Sequence, residues 1–441
     1  MNPIQLCLTG LLLAAASVMP SAAAELPAAF RAGLDAAFPD VERLYLDLHR
    51  HPELAMNEHR TAAALADRVR ALGYEVTTGV GGTGVVAVLK NGPGPVLMLR
   101  TEMDALPVQE KTGLPYASQS TGLNDGREVP VMHACGHDTH MAAWYGTAAL
   151  MAQSRSAWSG TLVLVGQPAE ETVQGALAML RDGLFTRFPK PDYALTMHDE
   201  PFAAAGQVGY RSGYFRVGYD ALAITVFGKG GHGAAPANTA DPVVQAARLV
   251  EALQTLVSRE QDPSEPMVIT VGSIHGGSRP NIIPDQVKLG VSIRTTNAAT
   301  RQRVLDGIER VAKGVALAAG APREPLVEVT ASAAAVYNEP HLTARAVGVL
   351  RDVLGEQNVV EVPARMASDD FGNYVQPGVK TLILQFGAVP ASRLADARAK
   401  GVSLTSLPMP HSPQWAPDYV PAIRTAITAE TALLLDLFNK K

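Results

Sequence analysis

Cysteine is nearly absent from this chain: its 441 residues hold two, Cys7 and Cys135. Cys7 falls inside an apolar leader, so removal of that leader leaves Cys135 alone and excludes an internal disulfide. An unpaired thiol in an oxidising compartment invites oxidation or mispairing unless it is buried, catalytic or held by a metal. An excess of basic residues is lacking as well. The formal net charge is -5 and no long run of Lys or Arg interrupts it, which removes any general attraction to nucleic acid or an anionic membrane. A small molecule or a peptide is the expected partner. Beyond the leader no stretch approaches the roughly 20 apolar residues that a membrane span requires. What remains is an ordinary globular composition, 47% hydrophobic and 18% charged, enough for one large domain or two unequal ones and unlike a disordered or fibrous chain.

The leader itself is informative. Residues 8–19, LTGLLLAAASVM, run into PSAAAELP, where Ala22, Ala23 and Ala24 supply an A-x-A cleavage pattern. This predicts a secretory signal over residues 1–24, a mature chain starting near Glu25, and export to the periplasm or the medium. The opening MNPIQLC contains no Lys or Arg, so an uncleaved hydrophobic N-terminus is the alternative.

Strand and helix patterns alternate along the rest of the chain. A helical pattern over residues 41–72, broken near Pro52, precedes strands at GTGVVAVLK and PVLMLRTEM; THMAAWYGTAALMA reads as a helix, and TLVLVGQ and YALTMH read as short buried strands ending in polar clusters. From residue 218 the rhythm becomes β-α-β-β-α-β, with Asp241 and Pro242 at a helix start. The predicted fold is therefore α/β, with a large domain built on a mixed sheet flanked by helices and a smaller α+β insertion. The expected boundaries are 25–217 and 334–441 for the large domain and 218–333 for the insertion.

Four clusters carry groups able to do chemistry. MHACGHDTHM places His133, Cys135 and His137 two residues apart, and in an extended segment all three share one face and can reach one ion; a buried thiol beside surface histidines has the same spelling. GQPAEET sets Glu170 and Glu171 directly after an apolar strand. One such carboxylate can ligate a cation while its neighbour takes a proton from water, although a solvated acidic turn looks alike. ALTMHDEP and MPHSPQW contribute His198 and His411, and a lone histidine in either setting is as easily structural.

Taken in order, LRTEMDALP, HACGHD, GQPAEE, MHDEP, GKGGHGAAP, GGSRPNIIPD and HSPQW resemble the M20 metallopeptidase family, in particular its amidohydrolase branch of hippurate and auxin-conjugate hydrolases. The resemblance spans nearly all of the mature chain. It implies two divalent ions per subunit, both zinc or manganese by preference with cobalt or nickel as alternatives, held by Cys135, His137, Glu171, His198 and His411 with the thiolate bridging. It implies Glu170 as general base and Asp104 as a carboxylate beside the metals that orients a ligand. It also implies a small domain that serves as lid and dimerisation element in a homodimer or higher oligomer. There His232 reaches an active site to stabilise the tetrahedral intermediate, and Arg279 and Asn281 grip a substrate carboxylate; a turn histidine and a surface arginine are the plain alternatives.

Three departures from the family pattern stand out: Glu102 where Asp is common, Thr139 and His140 in place of Gly-His, and the acidic pair Asp199 and Glu200 after His198. Added negative charge is expected to favour cations and disfavour anionic substrate groups. The expected activity is hydrolysis of the amide bond of an N-acyl amino acid or related conjugate. A carboxypeptidase or dipeptidase using the same machinery is the alternative enzyme, and a secreted metal-binding protein the alternative without catalysis. Such a binder has no need of Glu170 next to Glu171.

Overall fold

The computed structural model describes residues 28–439; the expected secretory leader with Cys7 and the expected cleavage site lie outside them. In chain order, α1 (Ala28–Arg50) and α2 (His59–Ala71) lead into β1 (Glu75–Val80), β2 (Gly84–Asn91) and β3 (Val96–Glu102), followed by α3 (His137–Gln153), β4 (Gly160–Gln167), β5 (Tyr193–Ala204) and β6 (Val208–Tyr210). A second unit follows, with β7 (Gly218–Phe227), α4 (Pro242–Thr255), β8 (Met267–His275), β9 (Gln286–Thr295), α5 (Ala298–Ala318) and β10 (Leu326–Ala333). The chain then returns through α6 (Pro340–Leu354), β11 (Val359–Glu361), β12 (Lys380–Val389) and α7 (Tyr419–Phe438).

The large domain is an eight-stranded sheet in the order β1-β2-β4-β3-β5-β12-β6-β11. Its centre is parallel, β4 with β3, β3 with β5 and β5 with β12, while β1 pairs antiparallel with β2, β2 with β4 and β6 with β12, and β11 joins β6 parallel. That makes the sheet mixed, as expected. Its central strands are buried along most of their length because helices cover both faces. One face packs Leu97, Leu99, Leu162 and Leu164 against α1, α3 and α7, and the other packs Met98, Val163 and Val165 against Phe371 and Tyr374. The small domain is an antiparallel sheet in the order β8-β9-β7-β10 with α4 and α5 on one face, closed by Leu222, Ile224, Leu249, Ile293 and Ile308. Asp241 caps α4 as its position predicts, accepting from the Val243 amide at 2.8 Å.

The helical pattern over residues 41–72 is two helices with a break around Pro52, as expected, and α1 accommodates Pro39 within its length. Two local expectations change. Cys135 sits in a turn and His137 opens α3, so His133, Cys135 and His137 are not one extended face. His133 is buried with no partner at either ring nitrogen, and burial brings its pKa down to about 4. Finally, β5 does not stop at the polar cluster: it runs through His198, Asp199 and Glu200, which pair in register with Gln385, Phe386 and Gly387 of β12. Among the described residues no helix is long and apolar enough to cross a membrane.

Candidate metal centre

The centre lies where β3, β4 and β5 deliver their C-terminal portions next to the start of α3, the usual place for a site in an open α/β sheet. Gly136 makes the turn into α3. Its φ is 76°, and a Cβ there would lie 2.3 Å from Asp199 Oδ2, so only glycine fits. On either side of it Cys135 and His137 enter the site. His411 reaches it from the C-terminal loop in a left-handed conformation, φ 69°, fixed by its amide donating to Ala134 O at 2.7 Å.

Ligand atoms of Cys135, His137 and His198 converge within 4.8 Å of one another, and so do those of Cys135, Glu171 and His411 and those of His137, Glu170 and Glu171. Cys135 belongs to the first two sets, which is the arrangement two neighbouring ions sharing a thiolate would require. The imidazoles are oriented for the task. His137 Nδ1 donates to Asp104 O at 2.7 Å and His198 Nδ1 to Asp199 O at 2.8 Å, so each Nε2 carries the lone pair and faces the cluster. His137 Nε2 and Glu171 Oε1 are buried without a hydrogen-bond partner, as expected of groups that answer to a cation. Burial first, and Glu171 second, push the Cys135 thiol up, so a cation is what would make it a thiolate. The donor set fits a dinuclear divalent-metal site.

Asp104 is not within the ligand cluster but braces it. Its Oδ1 accepts from the Glu170 amide at 3.1 Å and its Oδ2 from the Glu171 amide at 3.0 Å. The turn it holds begins at Ala169, whose positive φ of 51° is strained for a non-glycine residue, and the Ala169 amide donates to buried Glu58 at 2.9 Å. Glu170 is held by this turn and points toward His137, 4.0 Å from Nε2. Burial, then the nearby Asp369, Glu171 and Asp370 carboxylates, push its carboxyl well above the usual range.

A group of residues that sequence reasoning missed lies beneath Glu170. Arg100, fully buried in β3, is ion-paired with Glu102, with Asp369 at 3.2 Å and with Asp370 at 2.9 Å. Asp370 accepts from Gln167 at 2.7 Å and from the Ala176 amide at 2.9 Å. Glu102 also faces His140 Nδ1 at 3.1 Å, and the Asp199 amide donates to His140 Nε2 at 2.9 Å. Glu102 and Asp199, two of the departures, are thus connected through His140. A charged residue inside the apolar run VLMLRTE was the available signal, because a buried arginine demands carboxylates, and SDDFGNY was an unread acidic pair.

The cleft over the centre has a volume of about 720 Å³ and is lined by Cys135, Glu170, Glu171, His198 and His411 from the large domain and by Tyr219, Arg294 and Ala331 from the small one. His232, Arg279 and Asn281 do not line it. His232 is exposed on a two-residue strand paired with Ile282, and Arg279 lines a separate cleft with Asp241 and Pro284. Asn281 is exposed, its carbonyl accepting from the Gly233 amide at 2.9 Å.

Residues 98–408 match Peptidase family M20/M25/M40. The chain is 37% identical over 340 residues to a hippurate hydrolase of Campylobacter jejuni, covering 76% of this chain and 85% of that one. It is 34% identical to thermostable carboxypeptidase 1 of Saccharolobus solfataricus, covering 75% and 81%. Among solved structures, a putative aminohydrolase from Staphylococcus aureus superposes with a TM-score of 0.80 at 30% identity, covering 92% of this chain and 98% of that chain. A dinuclear metal-binding M20 peptidase of Bacillus subtilis superposes with a TM-score of 0.71 at 26% identity, covering 91% and 98%.

Proposed function

From the premise that this chain belongs to peptidase family M20/M25/M40 and is a metal-dependent hydrolase with a dinuclear site, we propose that it cleaves the amide bond of N-acyl amino acids or related conjugates. The observation that carries the reading is Glu170: a buried carboxyl with an upward-shifted pKa, beside a ligand and not itself engaged by a cationic side chain. A protein that only stores metal has no use for it. Likeness to the hippurate hydrolase of Campylobacter jejuni, named for an N-acyl amino acid, supports the reading, and the carboxypeptidase relative marks the competing one.

Divalent ions, when bound by Cys135, His137, Glu171, His198 and His411, supply Lewis acidity toward the scissile carbonyl and acidify water. Glu170 takes the proton of the attacking water and passes it to the leaving amine nitrogen. Asp104 keeps Glu170 and Glu171 at fixed separation throughout. His232, Arg279 and Asn281, which lie outside the cleft of their own chain, act in this reading from the small domain of a second copy, His232 on the oxyanion and the other two on the substrate carboxylate.

The test is a panel of N-benzoyl and N-acetyl amino acids against dipeptides, with enzyme loaded with zinc or manganese. N-acyl amino acids are expected to be cleaved at least about tenfold faster; dipeptides as the better substrates would overturn the reading. Glu170→Gln should lose roughly 100-fold or more of turnover at unchanged metal content, and near wild-type rates would remove Glu170 from its role.

A further inference from the structure

Two arginines on the cleft wall have no part in holding metal. Arg216 ends a short strand just before β7, Arg365 lies in the loop after β11, and a parallel bridge pairs the two residues across the backbone. Like charges set side by side in this way repel. Nothing nearby neutralises both. The nearest carboxylate to Arg216 is Asp369 at 3.6 Å, past good hydrogen-bond range, and Asp369 is shared with Arg100; the other contact of Arg216 is a 3.4 Å bond to Ser368 O. Arg216 is only 7% exposed, and its Nε has no partner. Arg365 spends Nη2 on Glu200 at 3.0 Å and lies over the Phe202 ring, and its Nε is likewise unpartnered. Arg294, the third arginine of the wall, is tied to Met366 O at 2.7 Å.

We propose that Arg216 and Arg365 form a subsite for a second carboxylate of the substrate, one additional to the carboxylate beside the scissile amide. Both residues line the same cleft as Cys135, Glu170 and His198, so a group held between them belongs to a molecule whose amide is at the metal centre. A carboxylate supplies what the wall lacks: a planar acceptor for uncommitted guanidinium donors and the charge that relieves their repulsion. Glu200 and Asp369 nearby oppose a dianion such as phosphate, which leaves a single carboxylate as the matching group. In this proposal one carboxylate is accepted even though Asp199 and Glu200 were expected to disfavour anionic substrate groups. Asp199 accepts from Trp415 Nε1 at 3.1 Å and Glu200 is answered by Arg365.

The inference rests on the amide-hydrolysis reading for its consequence, and the experiment separates the two. Inhibition of metal-loaded enzyme, or a shift of its melting temperature, is compared for glutarate and butyrate, which differ by one carboxylate. Rates are compared for N-acetyl-glutamate against N-acetyl-glutamine and for N-succinyl-leucine against N-butyryl-leucine, to place the extra carboxylate on the amino-acid or the acyl side. Glutarate should bind at least about tenfold tighter than butyrate, as a charge-assisted pair implies, and one anionic substrate should be preferred by a similar factor. Arg365→Gln should shrink both ratios toward unity, and Arg216→Lys should retain part of them. Arg365, being the more exposed, keeps the test valid should Arg216→Gln fail to fold. Equal affinities for glutarate and butyrate, or ratios that survive Arg365→Gln, would overturn the subsite. Arginine-dependent glutarate binding without cleavage of any N-acyl amino acid would leave the subsite standing and remove the proposed reaction.

Discussion

At the scale of single residues, the centre depends on positions that offer no chemistry of their own. Gly136 combines φ 76° with a near contact to Asp199, so Gly136→Ala must strain the backbone or displace an acid that is bonded to Trp415. We expect a loss of about 1–3 kcal/mol of stability together with reduced metal content; a denaturant midpoint and metal content equal to wild type would contradict this. The donor groups that cluster were legible mainly through the ordered motifs that resemble the family, with scarce cysteine and the adjacent Glu170 and Glu171 as local signals. Arg100, Asp369 and Asp370 were not, since their partners lie far away in sequence and nothing local marks an aspartate as buried. His133 misled for the opposite reason: its two-residue spacing from Cys135 matters only in a strand, and Gly136 turns the segment into a helix.

At the scale of elements, α1 and α3 are joined through one buried histidine. His49 of α1 faces Asp138 Oδ2 in the first turn of α3 at 2.6 Å and Glu110 Oε1 at 3.2 Å. Burial alone would lower its pKa, but hydrogen bonds to the two carboxylates overcome it and raise the value to about 9. A histidine raised above its unfolded value of about 6.5 contributes stability that is fully present below pH 6.5 and disappears as pH rises through 9. The contribution is up to about 3 kcal/mol. The stability gap between wild type and His49→Gln should therefore be widest near pH 6 and narrow by pH 9.5 in denaturant titrations. A gap independent of pH would show that His49 is neutral. Among the elements, the β-α-β-β-α-β unit was legible from its alternation of strand and helix patterns, whereas the buried face of α4 was not: Leu249 and Leu253 lie in the core and Val243 is exposed. The continuation of β5 through HDEP was not, because buried acidic residues in a strand look like a turn until Trp415 and Arg365 supply their partners.

At the scale of the whole molecule, the small domain presents an edge. Strand β8 lies at the end of its sheet and exposes Val268 and Ile274, with exposed Ile282 on the short strand paired with His232, and such an edge invites a second copy. We expect a dimer in which His232 serves the partner's cleft. His232→Ala should lower the rate about 100-fold without loss of metal, and mixing it with Glu170→Gln should restore part of the activity, because one site of each hybrid dimer keeps both groups. No recovery in dimers shown to exchange subunits would end that role. Export is expected to leave a mature chain beginning near Glu25, and N-terminal sequencing that finds Met1 on exported protein would refute it. Where a lone histidine acts within an assembly was beyond reach from GKGGHGAAP, since its position relative to the centre depends on domains and copies, not on neighbours in the chain. The bracing of the centre by Asp104 bears on how the molecule is assembled. One residue at the end of β3 holds the turn after β4 by two amides and the first imidazole of α3 by its own carbonyl, so the donor atoms are arranged by the protein's own bonds. A cradle held by its own hydrogen bonds is expected to form without ions, so metal-free protein should fold and take up divalent ions afterwards.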